Sequence, residues 1–392
     1  MKTQAAKVLA SLLLITGFSS VALNAQPTVK SVGSVRHDAV TQVTVVFSDP
    51  VDPVSGATPG NYTFAGGTIT VTGASMMTGL PAANAVGVAE NPAPGGRVVD
   101  NQCVVLTVTG LAVDATATIT IQNVRDTSTP PKTIPSTATT FKDSGYAWAE
   151  SGTPALAGKV IAVGTNGFDI FSAGSGQWAD YDEVTMVYKQ VAGDFDLKAR
   201  VEFLDFSSHW ARAGVMARES LNEGENSATQ TGNPNATPPI RGTASRYADV
   251  HANPFMDFNE NGPPPEIHPA NNGWESHIRR ATGRQGDNGG TDSQNDTGGN
   301  PPFPNAWVRI QRTGTDIHTF HGSDGVNWDI ARDRLADEWL DTDDVTPLPL
   351  KPTMFVGPAF GPETINIPTS DTDGKNRLFL YQVRFTAILV PT

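Results

Sequence analysis

Two strand-like segments carry side chains suited to holding a polar ligand. In Trp210–Leu221, alternation along a strand sets Trp210, Arg212, Met216 and Arg218 on one face. Ala211, Ala213, Val215, Ala217 and Leu221 fall on the other. The small residues predict the packed side, so the Trp/Arg face is expected to line a cleft or a wet surface. Trp307, Arg309 and Gln311 repeat the logic on another strand, and both sets are expected on one surface. An indole stacks on a sugar ring while guanidinium and amide groups bond its hydroxyls, so the chemistry expected here is glycan binding. The competing reading of each tryptophan is ordinary packing inside a sandwich.

A third segment has the makings of a cation site. Asp257, Asn259 and Asn261 alternate before Gly262, like the start of an Asp-x-Asn-x-Asn-Gly calcium loop. The bidentate glutamate of such loops is missing at the twelfth position, where His268 stands. Glu266 lies two residues earlier, after three prolines. Calcium held by Asp257, Asn259, Asn261 and Glu266 is therefore weighed against a solvated turn. The acidic knots at Asp341, Asp343 and Asp344 and at Asp371 and Asp373 read as solvated loops. His318 and His321 would point to opposite sides of a strand, so they do not converge on one ion as zinc ligands must. The histidines in general, His251 and His277 among them, are expected to be surface or hydrogen-bonded groups.

Templates for catalysis are missing. The sequence holds no Gly-x-Ser-x-Gly, no His-Glu-x-x-His and no Glu-x-Asp-x-x-Glu strand. Glu219, beside Arg218, reads as half of an ion pair at a sheet rim. A non-catalytic protein is expected, with a glycosidase or lyase using unrecognised acids as the remaining enzymatic alternative.

The elements that must position these residues are almost all strands. Residues 1–25 read as a secretion signal: Lys2 and Lys7, an apolar Val8–Ile15, and Leu23-Asn24-Ala25 before Gln26. That places the protein outside the cell or on its surface. The apolar run is too short to span a bilayer, and no later segment is suited to it, so no membrane insertion is expected. Lys2 and Lys7 are the only charges the signal removes, which takes the formal charge from −13 to −15. So acidic a chain is a poor partner for nucleic acid. Cys103 is the only cysteine, which excludes an internal disulfide and suggests a buried strand residue.

All seven tryptophans lie between Trp148 and Trp339. The stretch before them holds short alternating strands at Val29–Val35, Gln42–Phe47, Thr68–Thr72, Cys103–Val108 and Ala117–Val124, punctuated by Pro/Gly/Asn turns. This predicts a small β-sandwich over 26–142 and a second β-domain over 147–392. Long polar loops are expected within 222–304, with strands at Ser245–His251 and Trp274–Arg280 between them.

Two resemblances sharpen this reading. Val45–Val51, Asn61-Tyr62 and Ile121–Asp126 resemble the SbsA-type bacterial Ig-like domains, which implies an Ig-like sandwich acting as a spacer or adhesive module. Gly193-Asp194-Phe195 and Trp210 through Ser220 resemble the concanavalin A-like domains described as enolase-regulation proteins. Ser151–Gly158, Gly167–Phe171, Trp307–Gly314 and Ser323–Trp328 extend that likeness in order. One departure is Phe171, where the family has tryptophan; another is the long polar stretch 222–304. The resemblance implies a jelly-roll sandwich and no agreed activity. Together the readings predict an all-β, secreted, non-catalytic protein that binds a glycan or cell-surface polymer, aided by calcium. The alternative is a subunit of an extracellular layer or filament that assembles with itself through sheet edges. Leu378–Val390, a long terminal strand, and Gln26–Val35, a candidate donated one, are the segments for such contacts, weighed against the prevailing reading of both as ordinary strands of their own domains.

Overall fold

In a computed structural model the chain is described over residues 26–81, 96–152, 154, 156–174, 176–177, 182–205, 207, 211–221, 244–254, 273–284, 293–296, 301–334, 338–363 and 380–391. It is an all-β protein. The first half contributes β1 (Val29–His37), β2 (Val40–Phe47), β3 (Tyr62–Phe64), β4 (Thr70–Met76), β5 (Cys103–Thr109), β6 (Thr116–Ile121) and β7 (Thr137–Lys142). Strands β1, β2, β5 and β4 face the small sheet β3-β6-β7. Val43, Val45, Phe47, Leu106, Ile119 and Ile121 fill the space between them, as the alternation of each strand requires.

The second half begins with β8 (Ala147–Glu150), β9 (Lys159–Val163), β10 (Gly167–Ser172), β11 (Thr185–Ala192) and β12 (Phe195–Leu204). It continues with β13 (Arg212–Arg218), β14 (Tyr247–Ala252), β15 (Trp274–Arg279), β16 (Ser293–Asp296) and β17 (Ala306–Thr313). Last come β18 (Asp316–Gly322), β19 (Asp329–Arg334), β20 (Thr353–Gly361) and β21 (Tyr381–Pro391). One layer runs β16-β15-β14-β13-β20-β11-β8 and the other β19-β18-β17-β12-β21-β10-β9. Strands β12 and β13, consecutive in the chain, therefore belong to opposite layers. Ala213, Val215 and Ala217 of β13 share one core with Leu197, Ala199, Val308 and Ile310 of the facing sheet. Ser276 and Thr319 tie the layers by a 2.8 Å hydroxyl contact, and Trp274 stacks on His321 at 5.0 Å.

The two halves share a sheet. Strand β1 pairs with β2 on one side and, in parallel, with β8 on the other, so eleven strands run continuously through both. A separate apolar cluster seals the junction: Val46, Met77, Leu80, Val98 and Cys103 from the first half meet Ile161, Phe171, Ala173 and Leu380 from the second. Phe171 thus serves as an inter-domain anchor. Cys103 is fully buried there, and burial pushes its thiol pKa up. Thr44 Oγ1 donates to the Ala162 carbonyl at 2.6 Å, and Arg97 pairs with Asp205 across the same seam. At Gly33 the backbones come so close that a Cβ would sit 2.6 Å from the Gly164 carbonyl oxygen, so only glycine fits. The strands expected as candidates for edge exchange are both interior: β1 lies between β2 and β8, and β21 between β12 and β10.

Candidate functional site

The residues named from sequence fall into two groups on opposite sides of the second sandwich. Trp307, Arg309 and Gln311 project from β17 away from the core, whereas Arg212 and Arg218 project from β13 on the other sheet. The expectation of one shared surface is thus corrected: each strand turns its small or aliphatic side inward, and the two sheets face each other. Trp210 lies outside the described residues, as do Asp257, Asn259, Asn261, Glu266, Asp371 and Asp373.

The β17 surface is a grid set by strand register. Asp196, Gln311 and His318 form one row across β12, β17 and β18; Lys198, Arg309 and Phe320 form the next; Arg200 and Trp307 with Gly322 form the third. These side chains are half-buried. Arg309 donates to Asp196 at 2.8 Å, and its guanidinium lies 5.2 Å from the Phe320 ring centroid and 5.7 Å from that of Trp328. Arg200 pairs with Glu202 at 2.7 Å and lies 5.9 Å from the Trp307 ring. The turn at Asp324-Gly325 rests on Trp307: a Cβ at Gly325 would be 2.9 Å from the indole. Asp324 fixes that turn by accepting from the backbone N–H groups of Val326 and Asn327 at 2.8 Å each.

The β13 face is different in kind. Arg212 and Arg218 were expected to be wet or cleft-lining; they are 5% and 0% exposed. Register aligns them with β14 and β15, so the outward layer holds Arg212, Met216, Arg218, Tyr247, Asp249, His251, Glu275, His277 and Arg279, all buried. One end is a closed ionic clamp. Asp182 accepts from Arg218 Nη2 at 2.9 Å and from Arg279 Nη1 and Nη2 at 2.8 and 2.6 Å. Arg218 Nη1 also donates to Ser151 at 2.9 Å. Arg279 stacks over Tyr247, whose hydroxyl donates to the Gln177 carbonyl at 2.6 Å. Burial raises the Tyr247 phenol pKa well above its ordinary value. Next to Arg218, Glu219 pairs with Arg246 at 2.7 Å instead.

The other end is less completely bonded. Arg212 lies 3.3 Å from Glu363 and 3.9 Å from Glu275. Among the described residues, Arg212 Nε and Nη1, Asn253 Oδ1, Gln177 Oε1 and Glu363 Oε2 have no hydrogen-bond partner. His251 Nε2 meets Glu275 Oε2 at 3.0 Å, and Asn253 donates to the same oxygen at 2.9 Å. Asp249 accepts from Gln177 at 2.7 Å and from the His277 backbone N–H at 2.9 Å. Burial opposes the Glu275 charge, but the bond from His251 and the nearby His277 and Arg212 together outweigh it and hold the carboxyl well below the usual range. Burial, then the neighbouring His251, pushes the His277 imidazole down to about 3. With Arg212 buried between two carboxylates, Arg212→Ala would strand both of them.

Glu363 combines two unusual features. Its φ is 56°, in the left-handed region that non-glycine residues rarely adopt, and burial raises its carboxyl to about 7, against the opposing pull of Arg212. A raised carboxyl means that the folded state holds the proton more tightly than the unfolded chain. The stability this gives is fully present below the ordinary value of 4.5 and is lost as pH rises through about 7. Glu363→Gln, which stays neutral, is therefore expected to gain on the wild type between pH 5 and 8, by up to about 3 kcal/mol. Urea denaturation at a series of pH values checks this; a constant difference across the range contradicts it.

Sequence reasoning missed the convergence of Asp249, His251 and His277. The signal was an acid-x-His pattern repeated on two strands, Asp249-Val-His251 and Glu275-Ser-His277. The register that makes the two adjacent is a property of the sheet. The acidic knot at Asp341–Asp344 is a turn: Asp343 accepts from Val345 N, Thr346 N and Thr346 Oγ1, and Asp344 pairs with Arg284 at 3.3 Å.

Fold and side chains define an all-β, two-part sandwich protein with an open aromatic and guanidinium grid on one sheet and a buried ionisable layer on the other. No family model matches the chain, and no curated protein matches it. Among solved structures, a functionally unknown protein from Saccharomyces cerevisiae aligns at 12% identity and a TM-score of 0.37, covering 63% of this chain and 96% of that one. Native alpha-2-macroglobulin from Escherichia coli, spanning domains MG0-NIE-MG1, aligns at 11% identity and a TM-score of 0.20, covering 76% and 78%. No helix among the described residues is long and apolar enough to cross a membrane.

Proposed function

We propose that this is a secreted, non-catalytic glycan-binding protein and that the glycan lies on the outer face of β12, β17 and β18. The observation that carries the reading is the half-exposed grid of Trp307, Phe320, Arg309, Arg200 and Gln311 on one sheet face. Aromatic groups offer apolar contact to the C–H face of a sugar, and guanidinium and amide groups donate to its hydroxyls. Arg309 is pre-oriented by Asp196 and by the flanking rings, which reduces the entropy lost on binding. The acids on this face support binding rather than catalysis, because Asp196 is neutralised by Arg309 and Glu202 by Arg200.

A glycan array probed with the full chain, with and without calcium, tests this. Retention of at least one polymer class is expected, and any calcium requirement would implicate the 257–266 segment. Trp307→Ala and Arg309→Ala should each weaken the best ligand about tenfold or more, a loss of ~1.4 kcal/mol, with little change in melting temperature. Binding that survives both substitutions would place the ligand elsewhere. No retention in either buffer would defeat the reading.

A further inference from the structure

Strands β14 and β15 place two imidazoles and two carboxylates in a square. The register that sets His251 across from Glu275 brings Asp249 beside His277. One ligand atom from each of Asp249, His251 and His277 lies within 4.8 Å of the others. We infer that these three side chains bind a divalent transition-metal ion of the zinc class.

Four observations carry the assignment. The donor set is the first: imidazole nitrogen with one carboxylate suits zinc, cobalt or nickel, whereas calcium takes six to eight oxygens. The second is spacing. Ligand atoms about 2.0–2.1 Å from a tetrahedral ion are about 3.3 Å apart. His251 Nδ1 already stands 3.4 Å from Asp249 Oδ1 without a hydrogen bond between them.

Third is the outer shell. A metal-bound imidazole gives its other N–H to a carboxylate, which fixes the tautomer and sharpens the donor. His251 has that arrangement: Nε2 faces Glu275 at 3.0 Å, leaving Nδ1 turned toward Asp249. Asn253 in turn holds Glu275, and Gln177 holds Asp249 by its second oxygen. Fourth is rigidity. All three ligands sit on paired strands and are no more than 2% exposed, so their geometry is set before an ion arrives. Three protein ligands leave a coordination position for water or another donor. The site is on the sheet opposite the glycan grid, and its assignment holds whether or not that surface binds sugar.

Because the ligands are buried, the ion is best supplied while the chain folds. The full chain should be expressed in zinc- or cobalt-supplemented medium, dialysed against metal-free buffer and assayed for metal by mass spectrometry. About one ion per chain is expected, with the visible d–d bands of tetrahedral cobalt(II) in the cobalt-grown protein. His277→Ala and the near-isosteric Asp249→Asn should each lower retention about tenfold or more. His318→Ala, on the half-buried grid of the opposite sheet, should retain it fully. Circular dichroism identifies any variant that fails to fold, and Asp249→Asn decides the matter if His277→Ala does so. Wild-type protein without metal from either medium would overturn the inference and leave His251, Glu275 and Asn253 as a buried hydrogen-bonded cluster. Metal that persists in folded Asp249→Asn would equally overturn it, by placing the ion elsewhere.

Discussion

Asp182→Ala is expected to cost about 3–5 kcal/mol of folding stability, a large share of what a domain possesses. Among the described residues Asp182 is the acid that Arg218 and Arg279 share, and all three side chains are fully buried. Removing it takes the shared countercharge from two buried guanidinium groups, which also donate to neutral oxygens of Ser151, Ser220, Gln177, Arg284 and Ser245. The loss is larger than the net worth of the bonds, because the desolvation of the arginines is no longer compensated. Asp196→Ala removes a comparable Arg–carboxylate pair on the half-exposed grid, where water can replace the acid. Its expected cost is below about 1 kcal/mol. Urea denaturation of both variants checks the pair of values; equal costs would mean that burial is not what makes the Asp182 clamp matter.

Phe171→Ala is expected to destabilise the protein by about 3–5 kcal/mol and to loosen the two sandwiches from each other. The ring is fully buried against Val46, Met77 and Cys103 of the first half and Ile161 and Leu380 of the second. A truncation there leaves a cavity at a junction that the continuous sheet cannot easily collapse. The wild type is expected to unfold in one transition, since β1 is bonded to both halves. Phe171→Ala is expected to separate two, seen by comparing near-ultraviolet dichroism, which reports the tryptophan-bearing half, with far-ultraviolet dichroism. Limited proteolysis near 142–147 should also speed up. Coincident transitions with unchanged proteolysis would show the junction to rest on the shared sheet alone.

Much of the architecture was legible in the chain because strand alternation is a local property. The small row Ala213, Val215 and Ala217 announced the inward side of β13, and that side is the core. The strands read at Ser245–His251 and Trp274–Arg280 match β14 and β15, and the reading of His318 and His321 as opposed holds: one lies on the grid, the other stacks on Trp274 within the sandwich. Glu219 in an ion pair and Cys103 in a buried strand follow from the same local logic.

What alternation leaves open is which strands become neighbours and which outward face is later covered. A period of two assigns Arg212 and Trp307 each to an outer face, but says nothing about whether those faces coincide; sheet order put them on opposite layers. Outward does not mean wet either. Asp182 and Glu363, far from β13 in sequence, pair with its Arg218 and Arg212 and turn an expected cleft into a buried ionic layer. Likewise the acid-x-His repeats at 249–251 and 275–277 carry no sign of convergence until the β14–β15 register sets them side by side. The sequence by itself determined the strands, their inner sides and the residue types able to bind an ion or a sugar. Only the tertiary structure decided which of them meet, because register and layer order arise from pairings between segments that are remote along the chain.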